Sequence, residues 1–214
     1  MQPGEPYITD IGDECELIPK IWAETNCIVL PTGYSMEYHD DLLVDLREFF
    51  KSKILISEDQ ILLLASYAYY TWFYDKLKTA PYLFILGDYG TGKTRILSLL
   101  HNVCFTPVNL GTAVTNANIF RSQNMAKGTI LIDEFEKNES SKNDFYAQIL
   151  NNGYTYPGII LRTESSGKKL TQVPYTSFGP KIISARTLPK DDALLSRCFV
   201  IHTKRHTNTE LNDK

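Results

Sequence analysis

Tyr82-Leu83-Phe84-Ile85-Leu86-Gly87-Asp88-Tyr89-Gly90-Thr91-Gly92-Lys93-Thr94 is the stretch on which the architecture turns. Its first five residues are a continuous apolar run, the pattern of a strand buried on both faces. The next eight match the spacing GxxxxGK followed by Ser or Thr. Glycines let such a loop curl, so that successive backbone N–H groups converge on phosphate oxygens. A helix expected over 93–102 would turn its positive N-terminus to the same anion. Lys93 would reach the β- and γ-phosphates of ATP, and Thr94 would place its hydroxyl on Mg²⁺. Gly87, Asp88, Tyr89, Gly90, Thr91, Gly92, Lys93, Thr94 and Arg95 are the candidate nucleotide contacts. The plainer reading is a glycine-rich turn with a stray lysine.

Downstream, Thr129-Ile130-Leu131-Ile132-Asp133-Glu134 reads as a buried strand ending in two carboxylates. Parallel sheets hold their ligands at the C-terminal ends of strands. Asp133, with Thr94, would hold Mg²⁺, and Glu134 would orient and deprotonate the attacking water. Many strands end in acids, so it is the preceding loop that gives this pair its meaning. Ser184 closes Lys181-Ile182-Ile183 and would help position the water; an ordinary strand-end serine is its bland alternative. Arg197 stands just before the last expected strand. There an arginine can project at a neighbouring subunit's γ-phosphate and neutralise transition-state charge; a surface salt bridge is the competing reading. Lys93, Glu134, Ser184 and Arg197 are thus the candidate catalytic residues. Arg186 is a rival to Arg197 and would act within its own subunit. Asn109 would hold Glu134 inactive when substrate is absent.

Strands are expected over 82–86, 107–110, 129–132, 181–185 and 198–202, with helices over 93–102, 116–123, 143–151 and 191–197 between them. Continuous apolar strands alternating with helices predict an α/β fold with a parallel sheet covered on both faces. Asn152-Gly153 reads as a helix C-cap. A hairpin is expected around Ser165-Ser166-Gly167, and it gathers Arg162, Lys168 and Lys169. Those cations are candidates for touching a nucleic-acid backbone, or for a solvated charged turn. Before the first core strand, residues 1–35 are irregular and 36–80 read as a helical appendage. Ser57-Glu58-Asp59-Gln60 is a capping-box pattern opening a helix to about Lys78. The core is assigned to 81–205; the chain turns polar from Thr203, and 206–214 reads as a tail.

The formal net charge of −3 gives no general support for nucleic-acid binding, which relies on Lys and Arg. Cys15, Cys27, Cys104 and Cys198 form no CxxC pair, so neither a zinc site nor a disulfide framework is suggested. The first residues carry no signal-peptide pattern, and the longest apolar stretch, 61–74, is too short to span a bilayer. A cytoplasmic protein without membrane contact is the expectation.

In motif order the chain resembles AAA+ ATPases over about 82–204, with 87–94, 130–134, Ser184 and Arg197 matching their motifs. The segment 131–137 is similar to the acidic motif of minichromosome maintenance helicases, and Leu195-Ser196-Arg197 to their arginine-finger segment. More closely, Ala80-Pro81-Tyr82-Leu83, Gly92-Lys93-Thr94-Arg95-Ile96-Leu97, Phe120-Arg121, Leu150-Asn151-Asn152-Gly153-Tyr154 and Phe178-Gly179-Pro180-Lys181 resemble primase-associated helicase-like ATPases of phages and other mobile elements. The resemblance implies a P-loop sheet of five strands in the order 5-1-4-3-2. It also implies a homo-oligomeric ring, a hexamer, and an ATP-driven helicase or replication-associated translocase acting on single-stranded DNA. One departure stands out: the helical lid of AAA+ proteins has no counterpart in 204–214, as in a fragment or a compact relative of superfamily 3 helicases. A regulatory or scaffold ATPase acting on a protein partner is the alternative, and a small-molecule kinase fits the acid pair poorly.

Overall fold

The computed structural model describes residues 7–9, 16–18, 24–25, 27–29, 41–111, 114–133, 150–166, 169–189 and 191–205. Strands β1 (Tyr7–Thr9) and β2 (Glu16–Ile18) form a small antiparallel pair. Helices α1 (Leu42–Lys51) and α2 (Glu58–Tyr70) follow. Next come β3 (Tyr82–Leu86), α3 (Lys93–Val103), β4 (Val108–Asn109), α4 (Asn116–Ala126) and β5 (Ile130–Ile132). The hairpin of β6 (Ile159–Ser166) and β7 (Lys169–Thr176) precedes β8 (Lys181–Ala185), α5 (Asp192–Leu195) and β9 (Cys198–His202).

Five of these strands make one sheet in the order β4-β5-β8-β3-β9, with every neighbouring pair parallel. Counted along the chain without the hairpin, that is 5-1-4-3-2 read from the other edge, the order the resemblance implies. Tyr82, Leu83, Phe84 and Ile85 are fully buried, as are Ile130, Leu131, Ile182 and Ile183. Successive side chains point to opposite faces of a strand, so a strand covered on both sides has no polar alternation. Tyr82, Phe84, Ile130, Ile132 and Ile183 pack with Ile119 and Phe120 of α4. Leu83, Ile85, Leu131, Ile182 and Ile201 pack with Ile96, Leu97 and Leu100 of α3 and with Ile61, Leu64, Ala65 and Ala68 of α2. Phe50 of α1 joins this second layer. The N-terminal helical pair is therefore continuous with one face of the sheet. Among the described residues, no helix is long and apolar enough to cross a membrane.

Several boundaries differ from the sequence expectation. The Ser57 capping box forms: its hydroxyl accepts from the Gln60 backbone N–H at 3.4 Å, and Gln60 Oε1 accepts from the Ser57 N–H at 3.3 Å. The helix it opens stops at Tyr70, not near Lys78. Tertiary partners end it. The Thr71 hydroxyl donates to Ala68 O at 2.7 Å and accepts from Phe105 N at 2.9 Å, and the Trp72 indole donates to Val103 O at 2.9 Å. Gly153, expected with Asn152 as the helix C-cap, is itself still helical and has no positive φ. It is glycine for space: a Cβ there would lie 2.4 Å from Ser177 O. The expected helix over 143–151 lies largely outside the described residues; its last turn, 150–153, is helical. The hairpin, with arms expected over 159–162 and 170–173, is longer, in register from Ile159↔Thr176 to Ser166↔Lys169.

The N-terminal edge of the sheet holds a fully buried cation. Lys181 Nζ donates to Ser177 O at 2.7 Å and Gly179 O at 3.0 Å, and lies 5.1 Å from the centroid of the Tyr82 ring. These neighbours favour the ammonium, yet burial pushes its pKa down to about 7, against 10.5 for a lysine in water. Between those values the unfolded chain holds a proton that the folded chain lacks, so stability rises with pH. Below about pH 7 both states are protonated and the effect is flat. From about pH 9 upward, the buried Cys104 and half-buried Cys198 thiols, both pushed up to about 12 by desolvation, act in the opposite sense. Urea midpoints of the wild type should therefore climb between about pH 7 and pH 8.5, by at most about 1.4 kcal/mol per pH unit from this one group. In Lys181→Met that slope should vanish. An identical slope in both proteins would count against the assignment.

Candidate functional site

The C-terminal ends of β3, β5 and β8 lie at the same edge of the sheet because all three strands are parallel. From β3 the chain enters the glycine loop. Gly90 (φ +72°) and Gly92 (φ +86°) both adopt left-handed backbone, which side chains other than glycine rarely accept. A Cβ at either would meet nothing within 4 Å, so backbone conformation, not space, demands glycine here. Gly92 is also the N-cap of α3, and no side chain caps that helix. Its first N–H groups and the helix dipole together make a site suited to an anion.

Lys93 is buried, and its Nζ donates to the carbonyls of Gly87 and Asp88, both at 2.7 Å. The ammonium thus arches back over the loop that precedes it. The loop is clamped elsewhere too. Gly87 N–H donates to Ala185 O at 3.2 Å, and the Thr91 hydroxyl donates to Asp88 O at 2.8 Å.

Asp133 follows β5, one strand removed from β3, with β8 between them. Its Oδ2 accepts from the Thr94 hydroxyl at 3.0 Å, and its Oδ1 accepts from the Ser184 hydroxyl at 2.5 Å. Thr94, Asp133 and Ser184, far apart in the sequence, therefore meet in one hydrogen-bond chain. Asp133 N–H also donates to Gly111 O at 3.2 Å, and Gly111 N–H donates to Asn109 Oδ1 at 2.9 Å. The Asn109 amide oxygen is thus turned toward its own loop. Glu134 lies outside the described residues.

Arg186 and Tyr89 meet at this edge, with the guanidinium 4.5 Å from the ring centroid. Arg95 is exposed on the first turn of α3.

Arg197 is at the other end of the sheet. Its carbonyl accepts from Tyr82 N–H at 3.0 Å, at the start of β3. At about 3.3 Å per residue, the length of β3 separates it from the loop by about 16 Å, so it cannot join the site of its own chain. Its Nη1 donates to Asn151 O at 3.1 Å and to Asn151 Oδ1, and its guanidinium lies 5.4 Å from the Tyr154 ring. Asn151 in turn donates to Asp191 Oδ2 at 3.2 Å. That hydrogen bond, with those from the backbone of α5, holds the Asp191 carboxyl below its usual range.

Of the three hairpin cations, Arg162 is the one whose side chain is among the described residues. Arg162 lies over Phe120 of α4, 5.2 Å from its centroid. Beside it Glu164 accepts from Tyr175 at 2.5 Å and from Arg121 at 2.8 Å, and these bonds hold its carboxyl below the usual range. Lys168 and the Lys169 side chain lie outside the described residues.

Thr203 was read as the start of a polar tail and belongs instead to the loop's support. It is buried, its N–H and hydroxyl both donate to Leu86 O, at 2.7 and 3.1 Å, and its hydroxyl lies 2.8 Å from that of Thr91. One residue earlier, His202 O accepts from the Gln60 side chain at 3.0 Å, which ties the capping box of α2 to the same spot. No pattern in the sequence signals this, because the partners lie over one hundred positions apart.

Comparison with protein-family models gives no match for this chain, and comparison with curated proteins gives none either.

The closeness of Gly87 to Thr203 has a measurable consequence. A Cβ on Gly87 would fall 2.1 Å from Thr203 Oγ1, 2.6 Å from Thr91 Oγ1 and 2.8 Å from Thr203 O. Gly87→Ala should destabilise the fold by about 1–3 kcal/mol, seen as a lower urea midpoint at unchanged m-value. Adding Thr203→Ala should restore only part of the loss, because the backbone carbonyl remains.

Proposed function

We propose that this chain is a Mg²⁺-dependent P-loop ATPase of the AAA+ type, working as a DNA helicase or replication-associated translocase within a homo-oligomeric ring. One observation carries the nucleotide half of the reading. The hydrogen-bond chain Thr94–Asp133–Ser184 joins the end of a left-handed glycine loop to the strand ends beside it. A hydroxyl and a carboxylate 3.0 Å apart are the hard oxygen donors that Mg²⁺ takes, so the residues present fit the ion. Bound there, Mg²⁺ would supply charge neutralisation at the β- and γ-phosphates.

The chain's own residues do the rest. Backbone N–H groups of 88–94 grip the phosphates, while Lys93 exchanges its two loop carbonyls for phosphate oxygens. Ser184 holds Asp133 in place by donating to the oxygen that Thr94 does not use. Glu134, next in sequence, takes the proton of the attacking water. Arg197, at the opposite edge of the sheet, acts on the nucleotide of a neighbouring subunit. Head-to-tail contact, which closes into rings, is the geometry that brings one edge to the other.

The DNA half rests on the family resemblance and on Lys168 and Lys169. A second reading, a nucleotide-dependent regulator of a protein partner, is favoured by the hairpin's outer face. Ile159, Leu161 and Leu170 are 46%, 62% and 71% exposed there, while Arg162 packs inward on Phe120.

Titration with MgATP, followed calorimetrically, tests the first half. Lys93→Ala should weaken binding by about ten- to a hundredfold, the scale of one or two charge-assisted hydrogen bonds. A folded wild-type protein without affinity for adenine nucleotides would reject the assignment. For the second half, single-stranded DNA at low salt should raise the ATPase rate, and the Lys168→Ala/Lys169→Ala double variant should lose that response. A rate indifferent to DNA selects the regulator reading.

A further inference from the structure

Asp133 is the centre of the Thr94–Asp133–Ser184 chain, and it stands just past the end of β5. A carboxylate beyond its strand needs something to fix its backbone. Along β4, Val108 N–H donates to Thr129 O at 2.8 Å and Leu110 N–H to Leu131 O at 2.9 Å, the even spacing of a parallel ladder. The next rung of that ladder would carry the Asp133 N–H to Leu110 O. It goes instead to Gly111 O, one residue further on, at 3.2 Å. Gly111 absorbs the extra residue with a left-handed backbone, φ +65°. A Cβ there would meet nothing within 4 Å, so conformation and not space asks for glycine.

Asn109 holds that turn. Its Oδ1 accepts from Gly111 N–H at 2.9 Å, the bond to the backbone two residues on that asparagine and aspartate make in turns. The donor is a backbone N–H, so the acceptor must be the amide oxygen and not the amide nitrogen. Asn109 is itself fixed from outside the sheet. Its N–H donates to Cys27 O at 2.9 Å, the Cys27 thiol donates to Asn109 O at 3.4 Å, and Ile28 bridges to Val108. The side chain is exposed, so filling the core does not explain it.

We infer that Asn109 is a positioning residue for the Asp133 carboxylate, acting through the Gly111 carbonyl. The inference rests on the reading of Asp133 as a Mg²⁺ ligand and deepens it. The role uses the acceptor oxygen of Asn109 and needs no contact with Glu134. A hold on Glu134 would use the N–H donors of the amide instead. Without the Asn109 bond, residues 109–111 lose their turn and the Asp133 backbone loses its tether. Its two oxygens must then find Thr94 and Ser184 from a less ordered strand end.

Two measurements on the full chain test this. In nucleotide-free protein, Asn109→Ala should speed amide hydrogen exchange at Gly111 and Asp133 about two- to tenfold, the scale of one neutral hydrogen bond, with the amides of β3 and β8 unchanged. The second is calorimetric titration with a non-hydrolysable ATP analogue, in Mg²⁺ and in excess chelator. Asn109→Ala should lose about two- to tenfold of the affinity that Mg²⁺ adds, with the affinity in chelator unchanged. Asn109→Asp keeps the acceptor and removes the donors, so it should keep wild-type exchange and at least the wild-type Mg²⁺ gain. An Asp133 exchange rate or a Mg²⁺ gain left unaltered by Asn109→Ala overturns the inference, as does an Asn109→Asp variant impaired like Asn109→Ala. Affinity lowered equally in Mg²⁺ and in chelator marks a merely structural role and overturns it too. Wild-type protein whose affinity for the analogue gains nothing from Mg²⁺ overturns the reading of Asp133 as a ligand, and the inference with it.

Discussion

Strand β3 pairs in parallel with β8 on one side and β9 on the other, with both of its faces buried. That constraint organises the molecule. A parallel neighbour cannot be reached by a tight turn, so each pairing needs a long crossover, usually through a helix. The crossover helices also cover the faces, α3 on one side and α4 on the other, and α2, which precedes the first strand of the sheet, joins α3. Because all five strands run the same way, their C-terminal ends form one edge, and the glycine loop, Asp133 and Ser184 are gathered there without any further device.

The two edges of the sheet are built differently. At the N-terminal edge, polar side chains are absorbed by backbone. The Tyr67 hydroxyl donates to Pro81 O at 2.9 Å and Lys181 O at 3.1 Å, Tyr82 donates to Leu150 O at 2.5 Å, and the Lys181 ammonium donates to two carbonyls. Such fully partnered buried groups specify where elements sit, since losing one partner leaves an unsatisfied group in a low-dielectric interior. At the C-terminal edge side chains also bind one another, Thr94 and Ser184 to Asp133, and Arg186 to Tyr89, beside a Lys93 ammonium held on two loop carbonyls.

The loop is also coupled to the helical pair. Gln60 belongs to the capping box of α2 and bonds to His202 O, and the adjoining Thr203 touches Thr91 within the loop. Motion of α2 relative to the sheet would therefore load the loop through two adjacent residues. Gly87 leaves no slack at this point, since even a methyl group would collide with Thr203.

Local pattern was enough for the strands of the sheet and for the loop. Continuous apolar runs mark strands buried on both faces, and the spacing of Gly87, Gly92, Lys93 and Thr94 marks a glycine loop that opens a helix. Asp133 and Ser184 were legible as strand ends, though their hydrogen bond to each other was not. What local pattern could not supply were contacts between distant positions. The early stop of α2 at Tyr70 comes from Val103 and Phe105, and the place of Thr203 from Leu86 and Thr91. The inward turn of Arg162 comes from Phe120. The reason is one of range. A residue's propensity and periodicity depend on its immediate neighbours along the chain, whereas these outcomes depend on which surfaces the assembled sheet presses together.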